Sequence, residues 1–204
     1  MARTIAKDYD DKRVHILKRA AAVFAEQGFA KASMSEIAKD CGISKANIYH
    51  YYESKNALLF DILDAYLSAL RDRVLSVPLQ DVHPSDRLEH VISQVLLAYE
   101  GMDNEHKIQT EGIPLLELEQ QKILRNYQRD MVDFMGDILK ASAPQVFFGN
   151  SKLLKSTVMS VFGMLNWFYM WNSNADRSAR QEYAELVATL TLKGVTGLTH
   201  RKHA

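Results

Sequence analysis

The sequence contains few of the residues on which several classes of fold and site depend. Its 204 residues include one cysteine, Cys41, which excludes an internal disulfide framework and a cysteine-rich zinc module. We interpret Cys41 as a small buried packing residue, with a redox sensor as the alternative. No apolar run reaches the roughly 18 residues that a membrane span needs. The opening stretch MARTIAKDYDDKRVHILK lacks the apolar core of a signal peptide, so we predict a cytoplasmic protein.

Charge of one sign is not in excess either. Lys and Arg total 25, as do Asp and Glu, and the formal net charge is zero. A protein that binds nucleic acid through a uniformly basic surface is therefore excluded, and any basic surface must be local. Residues 1–60 hold ten basic and seven acidic side chains, whereas the remainder has an acidic excess of three. This modest asymmetry favours the first 60 residues for contact with an anionic partner.

Signatures of catalysis and of metal binding are missing as well. The sequence has no glycine-rich phosphate loop, no His-Glu-x-x-His and no Gly-x-Ser-x-Gly. Its seven histidines show no convincing metal-ligand spacing. We therefore predict that the protein is not an enzyme and has no catalytic residue, metal site or cofactor.

Proline and glycine are scarce, and they separate segments whose apolar spacing is helical. Between these breaks apolar residues recur at i, i+3 and i+4 without sustained alternation, which predicts an all-α fold of about nine helices. We expect a three-helix domain over residues 1–54 and a helical ligand-binding and dimerisation domain over residues 55–204. The predicted helices cover about residues 10–27, 33–41, 44–52, 55–76, 84–101, 102–110 (irregular), 115–141, 151–172 and 178–194.

Capping residues mark several of these helix ends. Gly28 fits the C-terminus of the first helix, and Ser33 with Glu36 fits a capping box at the start of the second. Ser178 and Gln181 have the same spacing at the start of the last helix. One apolar stripe on the first helix is predicted from Val14, Leu17, Ala21 and Phe24.

Between residues 33 and 52, two short helices flank a tight glycine turn. This geometry presents one helix to the major groove of DNA. The second helix carries Lys45, which suits guanine acceptors, and Asn47, which suits adenine. Tyrosine hydroxyls and Lys55 suit phosphate oxygens, and Ser33 and Ser35 are placed to reach the DNA backbone.

The stretch GFAKASMSEIAKDCGISKANIYHYYESKNALLFDIL resembles the DNA-binding segment of the tetracycline-repressor (TetR-like) family of bacterial transcription regulators. The resemblance covers about residues 10–63, with Ser-x-x-Glu-Ile-Ala, Gly-Ile-Ser and Ile-Tyr-His-Tyr-Tyr in the expected order. It implies a homodimer that binds a palindromic operator, usually as a repressor. It also implies that a small molecule bound in the C-terminal domain releases this dimer from DNA. By position, it implies base contacts for Lys45, Ala46 and Asn47, phosphate contacts for Tyr49, Tyr51 and Lys55, and either kind for His50.

Some of these positions have alternative roles. The resemblance implies that Ile48 and Tyr52 belong to the core. Tyr52 stands where phenylalanine is common, so its hydroxyl needs a partner if it is buried. A merely structural aromatic cluster is the alternative for Tyr49, Tyr51 and Tyr52, and His50 is alternatively an exposed bystander.

The segment VMSVFGMLNWFYMW, residues 158–171, is apolar almost all round, so a helix there must be covered on more than one side. We predict that one face of this helix packs against its own domain and another against a second subunit. The small residues Ser160 and Gly163 would permit close approach of another backbone. The last helix is apolar at Tyr183, Leu186, Val187 and Leu190. These two helices from each subunit would form a four-helix dimer interface, which is also where the resemblance places it.

Aromatic and methionine side chains also predict an effector pocket, because pockets are mainly apolar with a few polar groups. An aromatic or acyl compound is the expected ligand. Core or dimer contacts are the alternative for these side chains, and a hydrogen-bonded core amide is the alternative for Asn166. The predicted lining residues are Tyr127, Met131, Phe134, Met135, Met164, Asn166, Trp167 and Trp171.

With ARTIAKDYDDKR at the start and WFYMW at residues 167–171, the sequence is also similar to TetR-like regulators of aromatic-acid and fatty-acid catabolism. Several of those respond to acyl-CoA thioesters such as phenylacetyl-CoA. That similarity implies cations for the CoA phosphates, with Lys122, Arg125 and Arg129 as candidates, and a solvated helix face is the alternative for Lys122 and Arg129. Two other functional classes stay open. One is a helical protein-interaction module; the other is an all-α enzyme with Glu111 or Glu117 beside its ligand.

Overall fold

The computed structural model describes residues 2–172 and 174–197, and within them every regular element is helical. The all-α prediction is therefore confirmed for the described residues. The elements are α1 (Ala2–Gln27), α2 (Met34–Asp40), α3 (Lys45–Tyr51), α4 (Lys55–Leu75), α5 (Arg87–Ala98), α6 (Asp103–Gly112), a 3-10 turn (Ile113–Leu115), α7 (Leu118–Ser142), α8 (Pro144–Phe147), α9 (Ser151–Trp171) and α10 (Arg177–Gly197).

Several helix boundaries differ from the predicted ones. Helix α1 begins at Ala2 instead of near residue 10, α6 is regular, and the short α8 was not predicted. The predicted capping box at Ser178 is wrong, because the backbone amide of Ala179 donates instead to Asp176 Oδ1 at 2.9 Å. The Ser178 hydroxyl donates to Glu182 one turn further on. Asp176 lies one residue before the helix, where a short carboxylate reaches the first free amides.

The chain forms two compact units. Unit 1 comprises Met1–Ser68 and Asn104–Arg125, and unit 2 comprises Ala69–Asp103 and Asn126–Ala204. The predicted functional boundary between residues 54 and 55 falls inside unit 1 and stays a prediction.

The core of unit 1 is built by α1, α2, α3 and the first half of α4. Its largest fully buried side chains include Phe24, Ile37, Ile48, Leu58, Leu59 and Leu63. Leu17, Ala21 and Phe24 lie in this core as predicted, but Val14 does not, since 61% of it is exposed. In the same unit the Tyr66 hydroxyl and His106 Nδ1 lie 2.8 Å apart, so α6 carries a hydrogen-bonded polar group into the buried region.

The core of unit 2 is built by α5, which packs along α10 and against α9. Phe168, Leu88, Ile92 and Leu96 are among its fully buried side chains. Arg180 is also buried, and its guanidinium donates to the carbonyl oxygens of Ala175 and Leu96 at 3.1 and 3.2 Å. A buried cation needs such acceptors, because leaving it without partners would be costly.

Candidate nucleic-acid interface

Helices α2 and α3 and the turn between them are defined by capping bonds and one glycine. Ser33 Oγ accepts a hydrogen bond from the Glu36 amide at 3.2 Å, and the Glu36 carboxylate accepts one from the Ser33 amide at 2.9 Å. The predicted capping box is therefore confirmed. At the end of α2, Gly42 has a φ of +69°, a conformation that favours glycine. Ser44 then caps α3 by accepting from the Asn47 amide at 3.1 Å.

Helix α3 buries Ile48 and turns its remaining faces outward. Ile48 has no exposed surface and is packed in the core of unit 1, as predicted. The exposed side chains of α3 are Lys45, Ala46, Asn47, Tyr49 and His50. Ser33 and Ser35, near the start of α2, are exposed as well. The structure thus leaves seven of the nine predicted DNA-binding residues accessible, five of them on one short helix.

The three tyrosines at the end of α3 lie in three different environments. Tyr49 is exposed, whereas Tyr51 is half-buried and its ring stacks on that of Tyr9 in α1 at a centroid distance of 4.8 Å. Tyr52 is buried, and its hydroxyl donates to Asp61 of α4. The predicted core position of Tyr52 is confirmed. Stacking gives Tyr51 a structural role in addition to any role at DNA.

Asp61 joins three elements of unit 1. Besides Tyr52, it accepts a bidentate pair of hydrogen bonds from the Arg13 guanidinium, the one from Nε being 3.0 Å long. Burial, together with the hydrogen bond to Asp61, raises the pKa of the Tyr52 phenol. The hydrogen bond to Asp61 raises the pKa of Arg13. Tyr52 therefore stays neutral and Arg13 charged, and the end of α3 is tied to both α1 and α4.

Replacing Tyr52 with phenylalanine is expected to lower the free energy of unfolding by about 1 kcal/mol, because Asp61 loses a donor in a partly buried site. Urea denaturation followed by circular dichroism measures this change. The exposed Tyr49 provides a matched control, and Tyr49→Phe should change the unfolding free energy by less than about 0.5 kcal/mol. If Tyr52→Phe costs as much in an Asp61→Ala background as in the wild type, the Tyr52–Asp61 interaction is not its cause.

Lys55 has partners that sequence reasoning did not identify. Its Nζ donates to the carbonyl oxygens of Phe29, Ala32 and Ala30 at 2.6, 2.9 and 3.3 Å. It also lies 4.5 Å from the centre of the Phe29 ring, in a cation–π contact. These donors are directed to the protein's own loop, and the phosphate contact of Lys55 stays a prediction.

Cys41 lies in the core next to the turn. The thiol is buried, and burial, followed by the nearby Asp40 charge, raises its pKa to about 11. Reactive thiols have a lowered pKa because the thiolate is the reacting species. These observations support the packing interpretation over the redox sensor.

A second exposed region lies on α9 and α10, and it is apolar. We call it the α9–α10 surface. In α9 it includes Trp167, 61% of which is exposed, and in α10 it includes Leu190, which is 55% exposed. The two helices together line an open groove of about 420 Å³ that includes Ser160, Met164 and Leu190. The surface is defined by Met159, Trp167, Met170, Trp171, Leu186 and Leu190.

The residues predicted to line an effector pocket lie in four different settings. Met131 and Met135 of α7 are buried core residues, and Tyr127 and Phe134 are half-buried. Arg71 lies over the Tyr127 ring at 4.7 Å. Trp167 and Trp171 face outward on the α9–α10 surface, and Met164 lines its groove. Asn166 accepts a hydrogen bond from the Tyr99 hydroxyl at 2.8 Å, but it is exposed, so it is not the buried amide of the alternative interpretation.

The three cations suggested for CoA phosphates are exposed, and each has a neighbour on α7. Lys122 lies 3.8 Å from Glu119, and the Arg125 guanidinium donates to Gln121. Arg129 donates to Asn126. This arrangement favours the solvated-face alternative.

No described helix combines the length and hydropathy that crossing a bilayer requires. Within residues 2–172 and 174–197, no three His, Cys, Asp or Glu side chains are grouped to hold a metal ion.

Comparison with known families gives two matches that together cover most of the chain. The model described as "Bacterial regulatory proteins, tetR family" matches residues 16–62. The model described as "Tetracyclin repressor-like, C-terminal domain" matches residues 81–195. The first match contains α2, α3 and the exposed face described above.

Similar solved structures cover nearly the whole chain. A TetR-family transcriptional regulator from Bordetella parapertussis 12822 has a TM-score of 0.82 and 31% identity, covering 91% of this chain and 96% of that one. AibR, solved in complex with isovaleryl coenzyme A and operator DNA, has a TM-score of 0.73 and 26% identity, covering 89% and 98%.

Curated relatives match over shorter stretches. The uncharacterized HTH-type transcriptional regulator YuxN of Bacillus subtilis (strain 168) is 34% identical over 97 residues, which is 48% of this chain and 32% of the relative. The HTH-type transcriptional repressor KstR2 of Mycobacterium tuberculosis is 26% identical over 102 residues, half of each chain. The chain thus spans a third to a half of the length of these two relatives.

Proposed function

We propose the following function for this chain, which belongs to the tetR family of bacterial regulatory proteins and is a DNA-binding transcriptional regulator. It acts as a cytoplasmic repressor, binding a palindromic operator as a homodimer and leaving it when a small effector binds. The observation that carries the proposal is the outward face of α3, anchored by the fully buried Ile48.

The DNA contacts follow from the side chains of α3. A short helix that projects from a packed core fits the major groove, which is wide enough for one helix. Lys45 and Asn47 read base edges, and Ala46 allows close approach. The exposed Tyr49 and His50, with Ser33 at the cap of α2 and Ser35 in its first turn, contact the DNA backbone, which sets the register without reading sequence. Tyr51 contacts phosphate from its stacked position on Tyr9.

Dimerisation through the α9–α10 surface supplies the two-fold symmetry. Large exposed apolar patches mark interaction sites on proteins that are otherwise polar outside. Exposed Gly163, beside Met159 and Trp167 on α9, lets a partner helix approach closely. A two-fold interface uses the same patch on both copies, and two identical heads then match two inverted half-sites.

The proposed effector is an apolar, aromatic or acyl-CoA compound, with phenylacetyl-CoA as the specific candidate. The similarity to AibR, whose structure holds isovaleryl coenzyme A, supports an acyl-CoA. The half-buried Tyr127 and Phe134 on α7, beside the buried Met131 and Met135, are the proposed contacts in unit 2. The exposed Trp167 and Trp171 are assigned to the dimer interface instead.

Selection of binding sites from a random duplex pool tests this proposal. We expect an inverted repeat to be enriched, with binding that weakens steeply as salt rises, because phosphate contacts release counterions. Phenylacetyl-CoA or isovaleryl-CoA should lower the affinity for the selected duplex, whereas CoA alone should not. Absence of any salt-dependent DNA binding would favour the protein-interaction module, and turnover of the thioester would favour the enzyme.

A further inference from the structure

We propose that Tyr9 is a positioning residue: its ring, on the first part of α1, holds the Tyr51 ring at the end of α3 so that the Tyr51 hydroxyl is presented to a DNA phosphate. This inference rests on the proposed function, in which Tyr51 contacts DNA. It gives a part in DNA binding to a residue of α1, outside the α2–α3 pair.

The two tyrosine rings form a nearly parallel stack. Their centroids lie 4.8 Å apart, and their planes are inclined by 19°. Aromatic rings at such a distance attract each other beyond the effect of the area that they bury. Tyr51 is half-buried, whereas Tyr9 is 48% exposed, so the outer ring covers the inner one. A ring covered on one face has fewer rotamers available, and the positions open to its hydroxyl are restricted accordingly.

A second contact fixes the two helices that carry these rings. Arg13 lies four residues after Tyr9, one turn along the same side of α1. Its guanidinium donates to Asp61 of α4, with 3.0 Å from Nε to the carboxylate. Asp61 also accepts from the hydroxyl of Tyr52, the residue that follows Tyr51. The end of α3 is therefore joined to two successive turns of α1, and the backbone on both sides of the stack is held.

The surroundings of Tyr9 favour an action through Tyr51 over a direct contact with DNA. Asp10 and Asp11 follow Tyr9 directly, and both are exposed. Their carboxylates repel phosphate, so this turn of α1 is a poor surface for the DNA backbone. The Tyr51 hydroxyl, in contrast, is a neutral donor that suits a phosphate oxygen. A ring that is already held in place loses less conformational entropy on binding, which is how the stack would raise the affinity.

A double-mutant cycle on the affinity for the selected duplex tests this assignment, with melting temperatures measured on the same proteins. Tyr9→Ala removes the stack, Tyr51→Phe removes only the hydroxyl, and a third protein carries both changes. We expect Tyr9→Ala to weaken binding by about threefold to tenfold, the range for one hydrogen bond that is no longer preorganised. Tyr51→Phe alone should weaken it at least as much. In the Tyr51→Phe background, Tyr9→Ala should change the affinity by less than about twofold.

Two control variants separate positioning from other roles. Tyr9→Phe keeps the stacking ring and loses the hydroxyl, so it should bind DNA like the wild type. Val14→Ala shortens a side chain that is 61% exposed, a little more than one turn further along α1, and should also bind normally. On a duplex of scrambled sequence, Tyr9→Ala should lose the same factor as on the selected duplex, because a phosphate contact carries no sequence information.

Three results would overturn the assignment. Equal losses from Tyr9→Ala in the two backgrounds would show that the Tyr51 hydroxyl is not involved. A loss in Tyr9→Phe would show that the Tyr9 hydroxyl itself contacts DNA. A lower melting temperature of Tyr9→Ala with unaltered affinity would make the stack stabilising but not positioning. Should Tyr9→Ala not fold, Tyr9→Leu removes the stack with a smaller loss of apolar surface and permits the same cycle.

Failure of this inference differs from failure of the proposed function. A wild type that selects no DNA sequence would contradict both. A wild type that binds a selected duplex, together with a Tyr9→Ala protein that binds it equally well, would contradict the role of Tyr9 alone.

Discussion

Replacing Leu190 with glutamate is expected to convert the proposed dimer into monomers and to weaken binding to the selected duplex by about 100-fold or more, because linked half-sites bind with a high effective concentration. Leu190 is more than half exposed on one copy and lies at the groove between α9 and α10. In a dimer that buries this surface, the carboxylate would lose its hydration without gaining a partner. Sedimentation velocity measures the oligomeric state, and fluorescence anisotropy measures the affinity.

The matched control adds the same charge elsewhere on α10. Gln181 is already polar and exposed, so Gln181→Glu should stay dimeric and bind DNA like the wild type. A dimeric Leu190→Glu protein would contradict the proposed interface.

Trp167→Ala separates the two roles considered for that side chain. Weaker dimerisation is expected from its exposed position, whereas a normal dimer with a blunted effector response would return Trp167 to the pocket.

The DNA-binding element is the part that sequence reasoning describes most completely, because its signals are local. The capping box of Ser33 and Glu36, the turn at Gly42 and the cap at Ser44 each involve residues no more than three positions apart. Side chains at this spacing meet where the helix begins directly after the serine, as it does at Ser33 and does not at Ser178. The burial of Ile48 agrees with the core position that the resemblance to the tetracycline-repressor family implies.

Contacts between distant residues could not be predicted in the same way. Lys55 meets carbonyls 23 to 26 residues earlier in the chain, and Asp61 meets Arg13 48 residues away. Backbone carbonyls leave no mark in a sequence, so a lysine at a helix start could as well be directed to phosphate. The need of the Tyr52 hydroxyl for a partner was predictable, but Asp61 as that partner required the fold.

The C-terminal apolar residues show a different limit. A buried core, a ligand pocket and a dimer interface all select for aromatic and methionine side chains at helical spacing. The sequence therefore predicts one pocket that contains both Met135 and Trp167, although the structure buries the first completely and exposes most of the second. The exposed fraction of each side chain in a single copy distinguishes core residues from surface residues. A measurement of the oligomeric state then shows whether the exposed residues form an interface or stay accessible to solvent.

Replacing Asn47 or Lys45 with alanine is expected to weaken binding to the selected duplex by about 1–3 kcal/mol each, the usual worth of a good contact to a base edge. Both side chains are exposed on the outward face of α3. Binding to a scrambled duplex should fall much less, because phosphate contacts dominate there. Competition anisotropy with the two duplexes gives the ratio of affinities, which is the quantity that base contacts control.

The Asn47 substitution isolates the side chain unusually well. The cap at the start of α3 uses the backbone amide of Asn47, which Asn47→Ala retains, and alanine favours helix more than asparagine does. Asn47→Ala is therefore expected to keep the fold, and a melting temperature at or above that of the wild type would verify this. Ser44→Ala is the converse control, since it removes the cap and leaves the asparagine. Equal losses on the selected and scrambled duplexes would exclude a base contact at Asn47 and would leave α3 as a helix that binds the groove without reading it.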